Sequence, residues 1–168
     1  MTVRIVSFGY GHGPAPTADL VFDLRALLRN PFHNPELKHR TGLDQEVYDH
    51  VMATPGAERL AFNAVATARA LAEDTGADVT IAWGCTGGRH RSVGLARASY
   101  ELLRAVGDGV TIEHRDVDQA LLPAGVHNRE PGPGRFGDYA RPVRPARQDD
   151  PGAAAVVAPA RFWRSSNP

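Results

Sequence analysis

Short apolar runs alternate along the chain with longer segments in which apolar residues recur at intervals of three and four. The short runs are rich in β-branched residues and are too short for helices, so they predict strands at 3–8, 18–25, 79–83 and 110–115. Between the strands, the periodic segments predict amphipathic helices. This order predicts a small single-domain α/β fold with a mostly parallel sheet flanked by helices.

The helix boundaries carry their own signals. Asp44 is a suitable N-cap for a helix whose apolar stripe contains Val47 and Val51. A longer helix is predicted over 57–73, and Gly76 is placed to end it in a left-handed conformation. A third helix begins near Val93, after the glycine-rich loop that follows the 79–83 strand.

The composition changes after residue 127. Residues 1–127 carry 12 basic and 15 acidic side chains, whereas residues 128–168 carry 7 arginines and 4 acids and are rich in Pro and Ala. We therefore predict an α/β domain over 1–127 and a flexible tail over 128–168. Phe162 and Trp163 lie between arginines in this tail and could stack on nucleic-acid bases; a tail without function is the alternative.

Composition also excludes several classes of protein. A single cysteine excludes an intramolecular disulfide and a cysteine-based zinc site, and no metal or cofactor is predicted. No signal peptide and no apolar run long enough to span a membrane are found, so we expect a cytoplasmic protein without membrane contact. The skew to 18 arginines against one lysine is typical of GC-rich codon usage rather than of nucleic-acid binding.

The most informative stretch is the loop between the 79–83 strand and the third helix, residues 84–92, which we call the Cys85 loop. Its glycines let the backbone turn sharply and approach a ligand. Inward-facing amides and the following helix N-terminus favour negative charge there. Arg89, His90 and Arg91 are expected to add side-chain cations. The loop therefore predicts a phosphate or carboxylate site.

Cys85 allows a sharper interpretation. Cys85, Arg91 and Ser92 give the pattern C-x5-R-S of cysteine-dependent phosphatases, in which a thiolate attacks phosphorus and the arginine holds the phosphate oxygens. Asp116 or Asp118 would then be the general acid. The residue before Cys85 is glycine and not the histidine of those enzymes, and a small buried residue that closes the strand is the alternative.

Polar residues also follow the 18–25 strand. Asp23 and Arg25 leave its C-terminal end on one face. Because ligands of open α/β sheets bind at the C-terminal ends of strands, these side chains could lie near the Cys85 loop. A local Asp–Arg pair that holds the next loop is the alternative.

Several motifs, in order over roughly residues 3–118, resemble one family. They are Ser7-Phe8-Gly9-Tyr10-x-x-Gly13, Ala18-Asp19-x-Val21-Phe22-Asp23-x-Arg25, Asn30-Pro31-Phe32, Thr41-Gly42-x-Asp44 and Gly84-Cys85-Thr86-Gly87-Gly88-Arg89-His90-Arg91-Ser92-Val93. The chain resembles the C-terminal domain family of the RNase adapter RapZ. The resemblance implies a small α/β domain that binds RNA, senses glucosamine-6-phosphate and regulates amino-sugar synthesis by presenting a small RNA to an endonuclease.

The resemblance also implies site residues. The ligand contacts carried over are Thr86, Gly87, Gly88, His90 and Arg91, with Asp23, Arg25 and Asn30 as neighbours; Arg89 and Ser92 join them from the loop itself. Full-length members carry a nucleotide-binding domain with a Walker A loop. This chain contains no G-x4-G-K-[ST], so ATP or GTP hydrolysis by that route is excluded here, although family labels can still say nucleotide binding.

Two departures shape the expected partners. His12 stands where the family has tyrosine, and a Pro/Arg/Ala segment replaces the lysine-rich end that serves RNA binding. Binding of a phosphorylated metabolite, either a sugar phosphate or a nucleotide, therefore carries over better than binding of RNA. Whether RNA or a regulatory protein is a partner, and whether the chain forms a homo-oligomer, the sequence leaves open.

Overall fold

A computed structural model describes residues 2–127 of the chain. The predicted tail, residues 128–168, lies outside the described residues, and the boundary at residue 127 stays a prediction. The described residues form four strands, a short 3-10 helix at Pro31–His33 and four α-helices. The strands are β1 (Thr2–Gly9), β2 (Leu20–Asp23), β3 (Val79–Cys85) and β4 (Gly109–His114), and the helices are α1 (Gln45–Met52), α2 (Ala57–Thr75), α3 (Arg91–Ala105) and α4 (Ala124–His127).

The sheet is parallel throughout, in the order β2-β3-β1-β4, so the prediction of an α/β fold with a mostly parallel sheet is confirmed. The central strands β1 and β3 are buried almost end to end, which explains their continuous apolar runs. The second strand is shorter than predicted, covering 20–23 rather than 18–25.

The helices follow the predicted boundaries closely. The second helix ends at Thr75, and Gly76, which caps it, adopts φ 71° and donates its amide to the Ala72 carbonyl. Asp44 occupies the N-cap position of α1 but does not cap it with its side chain. Its carboxylate instead accepts hydrogen bonds from the amide and hydroxyl of Thr41, which folds the 41–44 segment back on itself. The α4 turn was not predicted.

One core lies between the sheet and the helices α1, α2 and α3. It contains Trp83, Ile81 and Leu95, all with no exposed area, and an alanine-rich stripe of α2 that lets this helix approach closely. This packing fixes β3 on one side and α3 on the other, and so it holds both ends of the Cys85 loop.

Candidate anion site at the strand ends

The parallel sheet brings four strand ends to one edge of the domain. These ends are Gly9, Asp23, Cys85 and His114. The Cys85 loop leaves the central strand β3 at this edge and runs directly into α3. Such an edge is where ligands of open α/β sheets are bound.

The Cys85 thiol points into its own loop. Its Sγ accepts the amide of Gly88 at 3.2 Å and lies 3.2 Å from the Ser92 hydroxyl. Cys85 is only 3% exposed, and Ser92 is fully buried. The Ser92 hydroxyl therefore lies beneath the loop beside the sulfur, rather than on its outer surface.

Several loop amides remain without an acceptor. Among the described residues, the N–H groups of Gly87, Arg89 and His90 make no hydrogen bond. Neither of the last two is inside α3, which begins at Arg91. Unpaired amides that converge on a helix N-terminus favour a bound anion. Gly87 and Arg89 are the partly exposed residues of the 86–92 segment, so a ligand would approach from their side.

A second glycine-rich segment, residues 9–13, packs on the loop; we call it the first turn. The amide of Tyr10 donates to the Cys85 carbonyl and that of Gly11 to the Thr86 carbonyl, each at 2.9 Å. A Cβ on Gly9 would come within 2.6 Å of the Gly87 carbonyl carbon and the Gly88 nitrogen. Glycine is required at position 9 because the two backbones touch there.

His90 is buried and is neutral at pH 7. Burial and the neighbouring Arg89 lower the pKa of His90 to about 4, although hydrogen bonds with the backbone of Lys38 and Leu37 oppose the shift. The expectation that His90 adds a cation to the loop is therefore wrong. The Nε2 atom of His90 is buried without a partner among the described residues.

Arg91 supplies a buried charge and spans two segments. It is 1% exposed, and its Nη1 lies within 3.3 Å of the carbonyl oxygens of Leu24, Arg25 and Leu28. Its Nη2 lies 3.4 Å from the Thr86 hydroxyl. The guanidinium therefore ties the segment after β2 to the Cys85 loop, while its positive charge stays directly beneath the loop.

Arg89 turns toward the other side of the site. Its Nη1 donates to the carbonyls of Val117 and Gln119, each at 2.9 Å. Its carbonyl accepts the amide of Gly42, which is wedged against the start of α3. A Cβ on Gly42 would lie 2.6 Å from the His90 carbonyl oxygen, so this position also requires glycine.

The residues after β2 form a polar rim beside the loop. Asp23 and Arg25 make a bidentate pair, and the Arg25 guanidinium lies 4.0 Å from the centre of the Tyr10 ring. Burial raises the pKa of Asp23, but hydrogen bonds from Arg25 outweigh it and leave this pKa below its usual value. Burial and the Asp23 charge raise the pKa of Tyr10. The side chain of Asn30 accepts the amide of Phe32 and caps the 3-10 helix.

Asp116 braces the first turn from behind. Its Oδ2 accepts the amide of Gly9 at 2.7 Å and the Nη2 of Arg115 at 2.8 Å. Burial raises the pKa of Asp116, but the hydrogen bonds from Arg115 and Gly9 outweigh it, so the carboxylate is charged at neutral pH. Asp118 is exposed two residues further on.

Comparison with known proteins matches residues 1–118 to the RapZ C-terminal domain. The chain belongs to the RapZ C-terminal domain family. It is 41% identical over 146 residues to a nucleotide-binding protein of Sphingopyxis alaskensis, covering 83% of this chain and 45% of that protein. It is 43% identical over 123 residues to a nucleotide-binding protein of Clavibacter michiganensis, covering 68% of this chain and 41% of that protein.

The chain spans less than half the length of these relatives. The same holds for a nucleotide-binding protein of Clostridium acetobutylicum, which is 36% identical and of which 44% is covered. The names of these proteins describe whole chains, of which the matched region is less than half. Within residues 2–127, no helix of this family member is long and apolar enough to cross a membrane.

The predicted site residues fall into three groups in this RapZ-type domain. The loop residues surround the free amides, with Cys85, Arg91 and Ser92 beneath them. The pair Asp23–Arg25 lies at the rim, and Asn30 serves the adjacent 3-10 helix.

Sequence reasoning missed Tyr10 and Gly42 as parts of this site. Tyr10 and Gly42 lie in motifs that carried the family resemblance, which was the only signal for them. Arg115 ends the predicted 110–115 strand, and a local pattern cannot show that its guanidinium returns to the first turn.

A groove of about 640 Å³ lies away from this edge, between α1, α2 and α3. Its lining includes Tyr48, Met52, Phe62 and Leu102 together with the charged residues Glu58 and Glu101. None of the predicted site residues lines it.

Proposed function

We propose that this chain is a regulatory domain that binds the phosphate group of a small metabolite on the Cys85 loop. The observation that carries this proposal is the set of amides at Gly87, Arg89 and His90 without acceptors among the described residues. A phosphate would satisfy these donors, and the N-terminus of α3 would favour its charge. Regulation would follow if a partner recognises the ligand-bound state.

The roles differ among the loop residues. The amides of Gly87, Arg89 and His90 would donate to phosphate oxygens, while the Gly88 amide is already directed at the Cys85 sulfur. Arg91 would stabilise the bound charge from beneath, through the Nη2 that faces Thr86. Arg25 and Asp23 would contact the part of the ligand beyond the phosphate, because they lie at the exposed rim.

The ligand class we favour is a phosphosugar or a nucleotide. The family resemblance favours glucosamine-6-phosphate, and the relatives' name, nucleotide-binding protein, favours a nucleotide. Both share a phosphate on a polyhydroxylated body, which suits a backbone cradle with a polar rim. RNA would be a further partner of the same phosphate-binding surface, aided by the arginines of residues 128–168.

A calorimetric titration tests the proposal. Glucosamine-6-phosphate, a nucleoside monophosphate and inorganic sulfate are titrated into the wild type, Arg91→Ala and Arg91→Lys. Arg59→Ala is the matched control, because Arg59 has no ion pair among the described residues and lies on α2. Ligand binding that is weakened by the substitutions of Arg91 and unchanged by Arg59→Ala supports the Cys85 loop as the binding site. Equal affinity in all four proteins shows that the ligand does not bind at the Cys85 loop.

Cysteine-dependent phosphatase activity is a second candidate, favoured by the direction of the Cys85 thiol. Its Sγ faces the inside of the loop and accepts the Gly88 amide, as a nucleophile for a bound phosphate would. Asp116 is poorly suited as the general acid, since hydrogen bonds from Arg115 and Gly9 hold its pKa low. The exposed Asp118 would have to supply the proton.

Hydrolysis of p-nitrophenyl phosphate tests this second candidate. Turnover by the wild type that is lost in Cys85→Ser and retained in Asp116→Asn would support it with Asp118 as the acid. No turnover, or equal turnover in Cys85→Ser, rejects the enzyme and leaves the binding domain.

A further inference from the structure

An ion pair between a partly exposed Arg115 and a buried Asp116 lies behind the first turn and holds it in place. Asp116 follows β4, is 5% exposed and accepts the Gly9 amide at 2.7 Å. Arg115 donates to both oxygens of the same carboxylate, with Nη2 at 2.8 Å from Oδ2 and Nε at 3.1 Å from Oδ1. Charge-assisted hydrogen bonds of this kind are among the strongest in proteins.

Arg115 contacts the first residue of the turn and Pro14, which directly follows its end. Its Nη1 donates to the Pro14 carbonyl at 2.7 Å, and its Nη2 lies 3.3 Å from the Gly9 carbonyl. Its own amide donates to the Ser7 carbonyl, which extends the β1–β4 pairing to the start of the turn. The pair therefore fixes the start and the end of the turn against the last residues of β4.

The first turn packs tightly against the Cys85 loop. A Cβ on Gly88 would lie 2.8 Å from both the Asp116 Cβ and the Gly9 nitrogen. A Cβ on Gly9 would lie 2.6 Å from the Gly88 nitrogen. Asp116, Gly9 and Gly88 thus form one continuous contact, so displacing the first turn must change the loop.

We propose that Asp116 is a positioning residue of the Cys85 loop. By accepting the Gly9 amide it holds the first turn against Gly87 and Gly88, which keeps the cradle in shape and shields the Cys85 thiol. The shielding follows from the contacts alone; the effect on anion affinity rests on the proposed function. Asp116 touches the loop from behind and is not assigned a contact with the ligand.

The rate of Cys85 alkylation by iodoacetamide tests the shielding, because the chain has one cysteine and labelling is therefore site-specific. Asp116→Ala is expected to accelerate labelling by about tenfold or more, since it leaves a buried amide without its charged acceptor. Asp116→Asn keeps a side-chain oxygen for the Gly9 amide and is expected to stay within about threefold of the wild type. Asp118→Ala is the matched control, since Asp118 is exposed in the same turn.

The proposal is overturned if Asp116→Ala is labelled at the wild-type rate. It is also overturned if Asp116→Asn is labelled as fast as Asp116→Ala. If Asp116→Ala is recovered only as aggregate, Arg115→Gln replaces it. This variant removes the guanidinium that orients the Asp116 carboxylate toward the Gly9 amide, together with the bonds to the Gly9 and Pro14 carbonyls. Faster labelling is therefore again expected, and an unchanged rate overturns the proposal.

Inorganic phosphate separates this inference from the proposed function. Phosphate should slow the alkylation of Cys85 in the wild type and in Asp116→Asn. In Asp116→Ala, the phosphate concentration needed for the same protection should be about tenfold higher. If phosphate protects no variant while Asp116→Ala still labels faster, the anion site fails and the positioning role stands. If phosphate protects the wild type and Asp116→Ala behaves identically, the positioning role fails and the anion site stands.

Discussion

The first turn and the Cys85 loop are both glycine-rich, and both follow buried parallel strands that are neighbours in the sheet. Their hydrogen bonds differ. The amides of residues 9–12 all donate, to Asp116, Cys85, Thr86 and Gly9. In the loop, the amides of Gly87, Arg89 and His90 have no acceptor among the described residues. Glycine content therefore does not distinguish the two segments; their unpaired backbone donors do.

The contrast gives each segment a separate role. The first turn directs the Tyr10 and Gly11 amides at the loop, whereas three amides of the loop have no acceptor among the described residues and would serve the ligand in the proposed function. The variants below either damage the contact between the two segments or alter the surroundings of the loop alone.

Gly88→Ala should have the largest effect, because it affects both segments. Gly88 has φ 68°, and a Cβ there would meet Asp116 and Gly9 at 2.8 Å. We expect a loss of about 2–5 kcal/mol in the free energy of unfolding, from backbone strain and overpacking together. Urea unfolding measures the loss.

Gly76→Ala is the matched control for that prediction. Gly76 has nearly the same backbone angle, φ 71°, but a Cβ there meets nothing within 4 Å. It should lose only the strain, about 1–2 kcal/mol. Equal losses in the two variants would mean that the contact between the first turn and the loop contributes no steric constraint.

The framework of this site follows from local patterns, whereas its interior does not. The four strands, the helices α1 to α3 and the position of the loop were predictable, because the sheet and helix periods are written into neighbouring residues. The neutral state of His90 depends on its burial in the folded domain, where it bonds to the backbone of Leu37 and Lys38, more than fifty positions away. The carbonyl partners of Arg91 lie 63–67 positions away. Local patterns report no such contact.

His90 should make folding sensitive to acid, with the next largest effect. Its pKa is lowered from 6.5 to about 4, so the folded state resists a proton that the unfolded chain accepts. The contribution of neutral His90 to the free energy of unfolding is therefore complete above pH 6.5 and is lost as the pH falls toward 4. The loss in the free energy of unfolding amounts to about 3 kcal/mol at the acid limit.

The difference between the wild type and His90→Gln isolates this contribution from the carboxylates that also titrate in acid. Chemical unfolding between pH 7.5 and pH 4 should show the gap between the two proteins narrowing or reversing as the pH falls. A gap that stays constant with pH would show that His90 is not held neutral by burial.

Arg25→Gln should have the smallest effect, because it changes the rim and leaves both glycine-rich segments intact. Arg25 is paired with Asp23 and lies over Tyr10, but both partners of the ion pair are more than a third exposed. We expect less than about 1 kcal/mol of stability to be lost and an anion affinity within about threefold of the wild type for inorganic phosphate. If Arg25→Gln loses more affinity for a phosphosugar than for inorganic phosphate, the rim contacts the sugar. If Arg25→Gln weakens the binding of inorganic phosphate as strongly as Arg91→Ala does, the phosphate is held at the rim, and the unpaired amides of the Cys85 loop do not define the site.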